Sequence, residues 1–292
     1  MNVSRDVAAR TSAGSSGSSS TERGWYLYGI ARQDALPGAL EDDEVREQRP
    51  GFWADAEPLQ SVEHAGLAAI VRPVSPEEFD EEALRGHAED PAWLESIVRG
   101  HNAVVEAVHR RHAILPAKFG SVYASREDIM RALDDVHDVL LDRLQRLDDC
   151  DEWAVHVYAD PENLRQRAAQ GSPARQLQDE IVNARPGRAY FLQRKLADEI
   201  AAGMDQIVKE LAAAAVGRLG SLAAGSQLTA PTPSPANAER EILRGAFLVS
   251  REKAERFLTQ LRDLPETIEG VRIDYSGPWP PYSFATLSQE LQ

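Results

Sequence analysis

Near the C-terminus, "SGPWPPYSF", Ser276–Phe284, crowds three prolines and three aromatic residues into nine positions. It restricts the backbone more than any other stretch of the chain. Proline fixes φ at about −65°, has no N–H, and pushes the residue before it out of the helical region. Gly277, Trp279 and Pro280 are therefore expected to be extended, in a stiff polyproline-like strut. A strut carrying Trp279, Tyr282 and Phe284 offers large apolar faces whose ordering costs little backbone entropy. Because it follows a strand directly, it is expected to fold back and seal its own domain. On that reading Trp279→Ala costs roughly 3 kcal/mol or more. Docking into another protein's proline-reading groove is disfavoured, since "WPPY" lacks the P-x-x-P spacing.

The rest of the chain is expected to supply two domains, for which 292 residues suffice. Acidic residues outnumber basic ones by 47 to 32, a net charge of −15, which argues against nucleic acid and against an anionic membrane as partner. Cys150 is the single cysteine, so no internal disulfide or multi-thiolate metal site can form, and a reducing, cytoplasmic setting is expected. No apolar run approaches the roughly 20 residues that cross a bilayer. Residues 1–23 are rich in Ser and Gly without an apolar h-region, and are expected to be a flexible tail rather than a signal peptide.

Along the chain, the pattern predicts an N-terminal α+β domain over 24–148 and a C-terminal ferredoxin-like domain over 149–275. A flexible connector is expected near 221–238 and a Pro/aromatic tail over 276–292. Strands are predicted at Gly24–Ile30, Gly66–Val71, Glu152–Tyr158, "GAFLVS" and "VRIDY" from their β-branched and aromatic content. Residues 32–64 read as a long surface loop. Apolar residues at helical spacing mark a helix from Trp93 to His112, and a second helix opened by Ser125 with Asp128 in a capping pattern. That second helix carries Ile129, Leu133, Val136, Leu140, Leu144 and Leu147. "AILPAKFGSVY" reads as a strand interrupted at Pro116. A third, long helix runs from Arg188 to Leu219 with a stripe at Leu196, Ile200, Met204, Ile207 and Leu211. The order of elements is α+β, most simply an antiparallel sheet with helices packed on it.

Catalytic signatures are absent: there is no Gly-rich phosphate loop, no G-x-S-x-G and no H-E-x-x-H. His101, His109 and His112 share one helix, but His101 and His112 lie on its apolar stripe, which makes them core histidines rather than metal ligands. Paired carboxylates in "EEFDEEAL" and "DDCDEW" are solvated faces in a chain this acidic. Cys150 follows two aspartates, which blunt a thiolate. No catalytic, metal or cofactor residue is assigned. An apolar client would need exposed hydrophobic surface. Two segments qualify: the Ala-rich end of the long helix around Ile207 and Leu211, expected to overhang its sheet, and the loop carrying Phe52 and Trp53.

The sequence resembles the gas vesicle protein L/F family. The resemblance runs from Trp25 to Phe284 and rests on an ordered series: "YLYGI", "GLAAIV", "HNAVVEAVHRRH", "ILPAKFGSVYAS", "EWAVHVY", "PGRAYFLQRK", "GAFLVS" and "GPWPPYSF". Its most distinctive parts are the "LP..FG" segment, with Pro116, Phe119 and Gly120, and the tail with Gly277, Trp279, Pro280, Pro281, Tyr282 and Phe284. Asn102 stands where an acidic residue is common, Lys118 where Arg is common, and Arg244 where Asn is common. The resemblance implies a two-domain α+β protein without catalytic activity or cofactor. It implies binding of the small apolar gas vesicle shell protein, and of other accessory proteins, as an adaptor or chaperone-like factor. Two alternatives are a minor structural component of the shell and a ligand-binding or enzymatic ferredoxin-like protein.

Overall fold

The computed structural model describes residues 23–35, 57–75, 86, 90–233 and 239–285. They divide into two compact units: one runs up to Cys150 and resumes at Pro280, and the other is Asp151–Trp279.

The first unit is built on strands β1 (Gly24–Arg32), β2 (Gln60–His64), β3 (Leu67–Val74), β4 (Ile114–Pro116) and β5 (Val122–Tyr123). Their order is β2-β3-β1-β4, with β5 also paired to β1, and the pairs formed by β1 and β3 are antiparallel. Every residue of β3 is buried, as in a sheet covered on both faces. One cover is helix α1 (Pro91–His109), started by Asp90, whose carboxylate accepts from the N–H groups of Ala92 and Trp93, with Pro91 in the first turn. Its Ile97, Val104, Val105 and Val108 join Tyr26, Tyr28, Ile70 and Ile114 in one core.

The stripe expected on a single helix after Ser125 is carried by two, α2 (Arg126–Asp135) and α3 (His137–Leu147), divided at Val136, whose φ of −131° is not helical. Ser125 caps as expected: its Oγ accepts from the Asp128 N–H at 3.1 Å. The break leaves the stripe intact, since Ile129, Leu133, Val136, Leu140, Leu144 and Leu147 are all buried.

In the second unit, β6 (Cys150–Ala159) is followed by helices α4 (Pro161–Ala169), α5 (Ser172–Val182) and α6 (Pro186–Gly220). Then come β7 (Gly225–Thr229), β8 (Arg240–Ser250), α7 (Ala254–Thr267) and β9 (Val271–Trp279). The sheet order β7-β8-β6-β9 within this β-α-β-β-α-β succession is the ferredoxin-like arrangement. Trp153, Val155, Val157, Phe247 and Val249 pack on Phe257, Leu261 and Leu264 of α7 and on Leu211, Ala215 and Leu219 of α6. The segment expected to be a flexible connector contains β7, which pairs antiparallel with β8 from Gly225↔Leu248 to Thr229↔Arg244. Its polar composition hid a strand because β7 lies at the sheet edge, where side chains stay exposed.

The tail is not one strut. Its first part extends β9 and pairs with β6 as far as Glu152↔Trp279. Gly277 has φ +141°, and a Cβ there would stand 2.9 Å from the Glu152 carbonyl oxygen and from the Trp153 ring, so glycine is required. The Gly277–Pro278 peptide is cis. Pro280 and Pro281 are buried and lead into a short helical turn, α8 (Tyr282–Ala285).

Candidate functional site

The "LP..FG" segment forms a loop laced to β1. The Ala117 N–H donates to the Tyr28 carbonyl at 2.9 Å, and the Leu27 N–H donates to the Ser121 carbonyl at 2.9 Å. Pro116 ends β4 opposite Gly29, and Gly120, at φ +81°, takes the left-handed turn that returns the chain to β5. Phe119 lies edge-on to the His101 ring, with centroids 6.2 Å apart. His101 is 2% exposed, stacks on Tyr28 and shares a 3.0 Å hydrogen bond between its Nδ1 and the Tyr26 hydroxyl. Burial pushes the imidazole down to about 4, with a hydrogen bond to the Ala117 backbone pulling partly the other way. Burial likewise raises the phenols of Tyr26 and Tyr28. His101 is thus neutral near pH 7, and it fastens α1 to the loop. Arg72, fully buried on β3, places its guanidinium 5.6 Å from the Tyr28 ring centroid.

The tail closes onto the same unit through its second half. The Tyr282 hydroxyl donates to Asn102 Oδ1 at 2.8 Å, a position where an acidic side chain would accept the same bond. Phe284 is half-buried. Trp279, expected to be the sealing ring, is 42% exposed, with its Nε1–H donating to Ser276 Oγ. The ring lies on an edge strand of the sheet, so the cost of removing it is smaller than full burial would give.

Sequence reasoning missed a polar cluster in the second unit. The Glu241 carboxylate, buried on β8, meets His156 Nδ1 at 2.7 Å, Arg244 Nε at 3.1 Å and the Thr232 N–H. Burial alone would raise this carboxyl, but the three donors hold it at about 2. The hint was an acid placed directly before the apolar pair Ile242–Leu243 of a strand. Arg244, one of the family departures, is one of the donors. Among the described residues, no group of three or more His, Cys, Asp or Glu could hold a metal ion.

The surface residues expected to meet a client fall differently. Leu211 is 6% exposed and belongs to the core, and Ile207 packs against that core, so this end of α6 does not overhang. Ala215 and Leu219 are buried in the same core, which anchors this end rather than freeing it. Phe52 and Trp53 lie outside the described residues. The most exposed large apolar side chains among the described residues are Val182, at the end of α5, and Phe191 and Tyr190, near the start of α6. They missed detection because none lies on the helix stripe.

A family model described as gas vesicle synthesis protein GvpL/GvpF matches residues 24–286. The chain belongs to the GvpL/GvpF family. Gas vesicle protein L of Streptomyces sp. (strain CB03234) is 30% identical over 275 residues, covering 93% of this chain and 96% of the relative. Gas vesicle protein F of the same organism is 27% identical over 261 residues, covering 89% and 98%. The crystal structure of GvpF from Anabaena sp. PCC7120 superposes with a TM-score of 0.61 over 92% of this chain and 98% of that one, and at 19% identity it bears on the fold alone. The GvpL/GvpF family takes part in gas vesicle formation. Among the described residues, no helix is long and apolar enough to cross a membrane.

Proposed function

We propose that this GvpL/GvpF chain is a non-enzymatic adaptor or chaperone-like factor that binds the small apolar shell protein in the cytoplasm and delivers it to the growing gas vesicle. The observation that carries this reading is the family match over residues 24–286, nearly the whole chain. The physics of the task agrees with the composition. A subunit with a large apolar face stays in solution only while that face is covered and the carrier supplies charge, and this carrier has a net charge of −15. The test is a pull-down on the tagged full chain from cells expressing a gas vesicle cluster. Enrichment of the shell protein supports the adaptor role, and its absence from complexes that contain other accessory proteins overturns it.

A further inference from the structure

We propose that His137 is a proton-dependent clamp that seats the β2–β3 hairpin, at the outer edge of the first unit's sheet, on the junction between α2 and α3. This goes beyond the adaptor reading and does not rest on it. The hairpin turns at Ala65 and Gly66, whose φ values are +48° and +83°. Ala65 carries a Cβ in the left-handed region, which glycine, asparagine or aspartate occupies more readily, so the turn depends on contacts from outside. Both of its carbonyls are taken. That of Gly66 accepts from the Gln33 N–H at 2.9 Å, and that of Ala65 lies 2.9 Å from His137 Nε2. The other ring nitrogen of His137, Nδ1, lies 2.9 Å from Asp138 Oδ1. A carbonyl and a carboxylate only accept, so both contacts are hydrogen bonds at once only when both nitrogens carry protons, as in the imidazolium. The neutral ring has one N–H, and it keeps the turn only by aiming a bare lone pair at Asp138.

The surroundings favour the charged ring. The charged groups that act on it are Asp138, on its own helix, and Asp134, near the end of α2; the hairpin adds His64, whose Nε2 lies 2.6 Å from Asp134 Oδ1. Glu63, the other charged residue of β2, is engaged by Gln33 and Ser61. The hydrogen bond to Ala65, and then Asp138, raise the His137 pKa above its ordinary 6.5 against a smaller effect of desolvation. A group whose folded pKa is raised contributes its stability fully below the unfolded value and loses it as the pH climbs through the folded one. His101 has the opposite sign, because its burial disfavours the proton. The stem of the hairpin is held without these protons: Arg126, at the start of α2, donates to Gln60 Oε1 at 3.2 Å and to the Ser61 carbonyl at 2.7 Å. Arginine keeps its charge throughout this range, so only the turn end of the hairpin is proton-dependent.

The test is hydrogen exchange on the full-length chain at about pH 5.5 and about pH 8.5, on either side of the histidine range, each corrected for the intrinsic pH dependence of exchange. In wild type the amides of residues 64–67 should be about two- to fivefold better protected at the lower pH, the scale of an exposed charged contact. His101 cannot imitate this result, since acid weakens the unit through that residue. His137→Gln, at a partly exposed position, should fold as wild type does and hold the turn equally at both pH values. NMR titration of the ring needs no variant and decides alone should His137→Gln misfold: His137 should titrate above 6.5, and Asp138→Asn should lower its value. A wild-type turn protected alike at both pH values, a pH dependence that survives His137→Gln, or a His137 titration at or below 6.5 overturns the proposal.

Discussion

Helices α1 and α6 both carry apolar residues at three- and four-residue spacing, and the two stripes meet different fates. On α1 the face is buried from Ile97 to Val108, whereas on α6 burial is confined to Leu211, Ala215 and Leu219 near its end. Length explains the difference. With 19 residues, α1 is about 28 Å long, close to the roughly 30 Å of the nine-residue β1 beneath it. With 35 residues, α6 is about 52 Å long, against roughly 36 Å for the 11-residue β8. Periodicity marks which face of a helix is apolar; the size of the neighbouring sheet decides how much of that face is covered. The remainder of α6 packs on α4 and α5, where Gly203 allows an approach in which an added Cβ would lie 3.1 Å from the Ala168 Cβ.

Several substitutions would break or sharpen this contrast. The largest effects are expected where each helix is anchored: Ile97→Ala on α1 and Leu211→Ala on α6, each costing about 3 kcal/mol by chemical denaturation, because each empties a core site. A cost for Leu211→Ala near zero would return that end of α6 to the surface. Next comes the pH response of α1 through His101. Its folded pKa of about 4 lies below the ordinary value of 6.5, so between these values the unfolded chain takes up a proton that the folded unit refuses. Stability is complete above pH 6.5 and declines as the pH falls towards 4, by a few kcal/mol. His101→Gln should flatten this part of the stability profile, and an unchanged slope would place the titrating group elsewhere.

A smaller effect is expected from Tyr282→Phe, which deletes the hydroxyl donated to Asn102 on α1 and should cost about 1 kcal/mol. Loss of cooperative unfolding in that variant would instead make α8 a structural keystone. The smallest is Phe191→Ala on α6, with a ring 72% exposed, expected within about 0.5 kcal/mol of wild type in thermal melting. A clear drop in midpoint would show that the ring packs within the fold after all.

Much of the architecture was legible because it follows from local rules. Ser125 announced its cap, the β-branched runs announced β1, β3, β6 and β8, and the stripe from Ile129 to Leu147 was correct in every residue although the helix breaks at Val136. What stayed hidden depends on neighbours distant in sequence. The edge strand β7 has a polar composition because it has few apolar contacts to make. The ion-pair cluster of Glu241 forms only when β6 brings His156 alongside β8. Trp279 looked like a seal by composition, but its strand lies at the edge of the sheet. Of the residues expected to bind a partner, Leu211 proved to be core, since the stripe pattern alone does not tell an anchored end from a free one.

Hydrogen exchange read by mass spectrometry on the full chain tests most directly the claim that α6 is anchored at Leu211–Leu219 and not along the rest of its length. In the free chain, amides near Leu211–Leu219 should exchange slowly and those of Val182–Lys195 quickly. Exchange over Leu211–Leu219 as fast as over Val182–Lys195 would contradict the account.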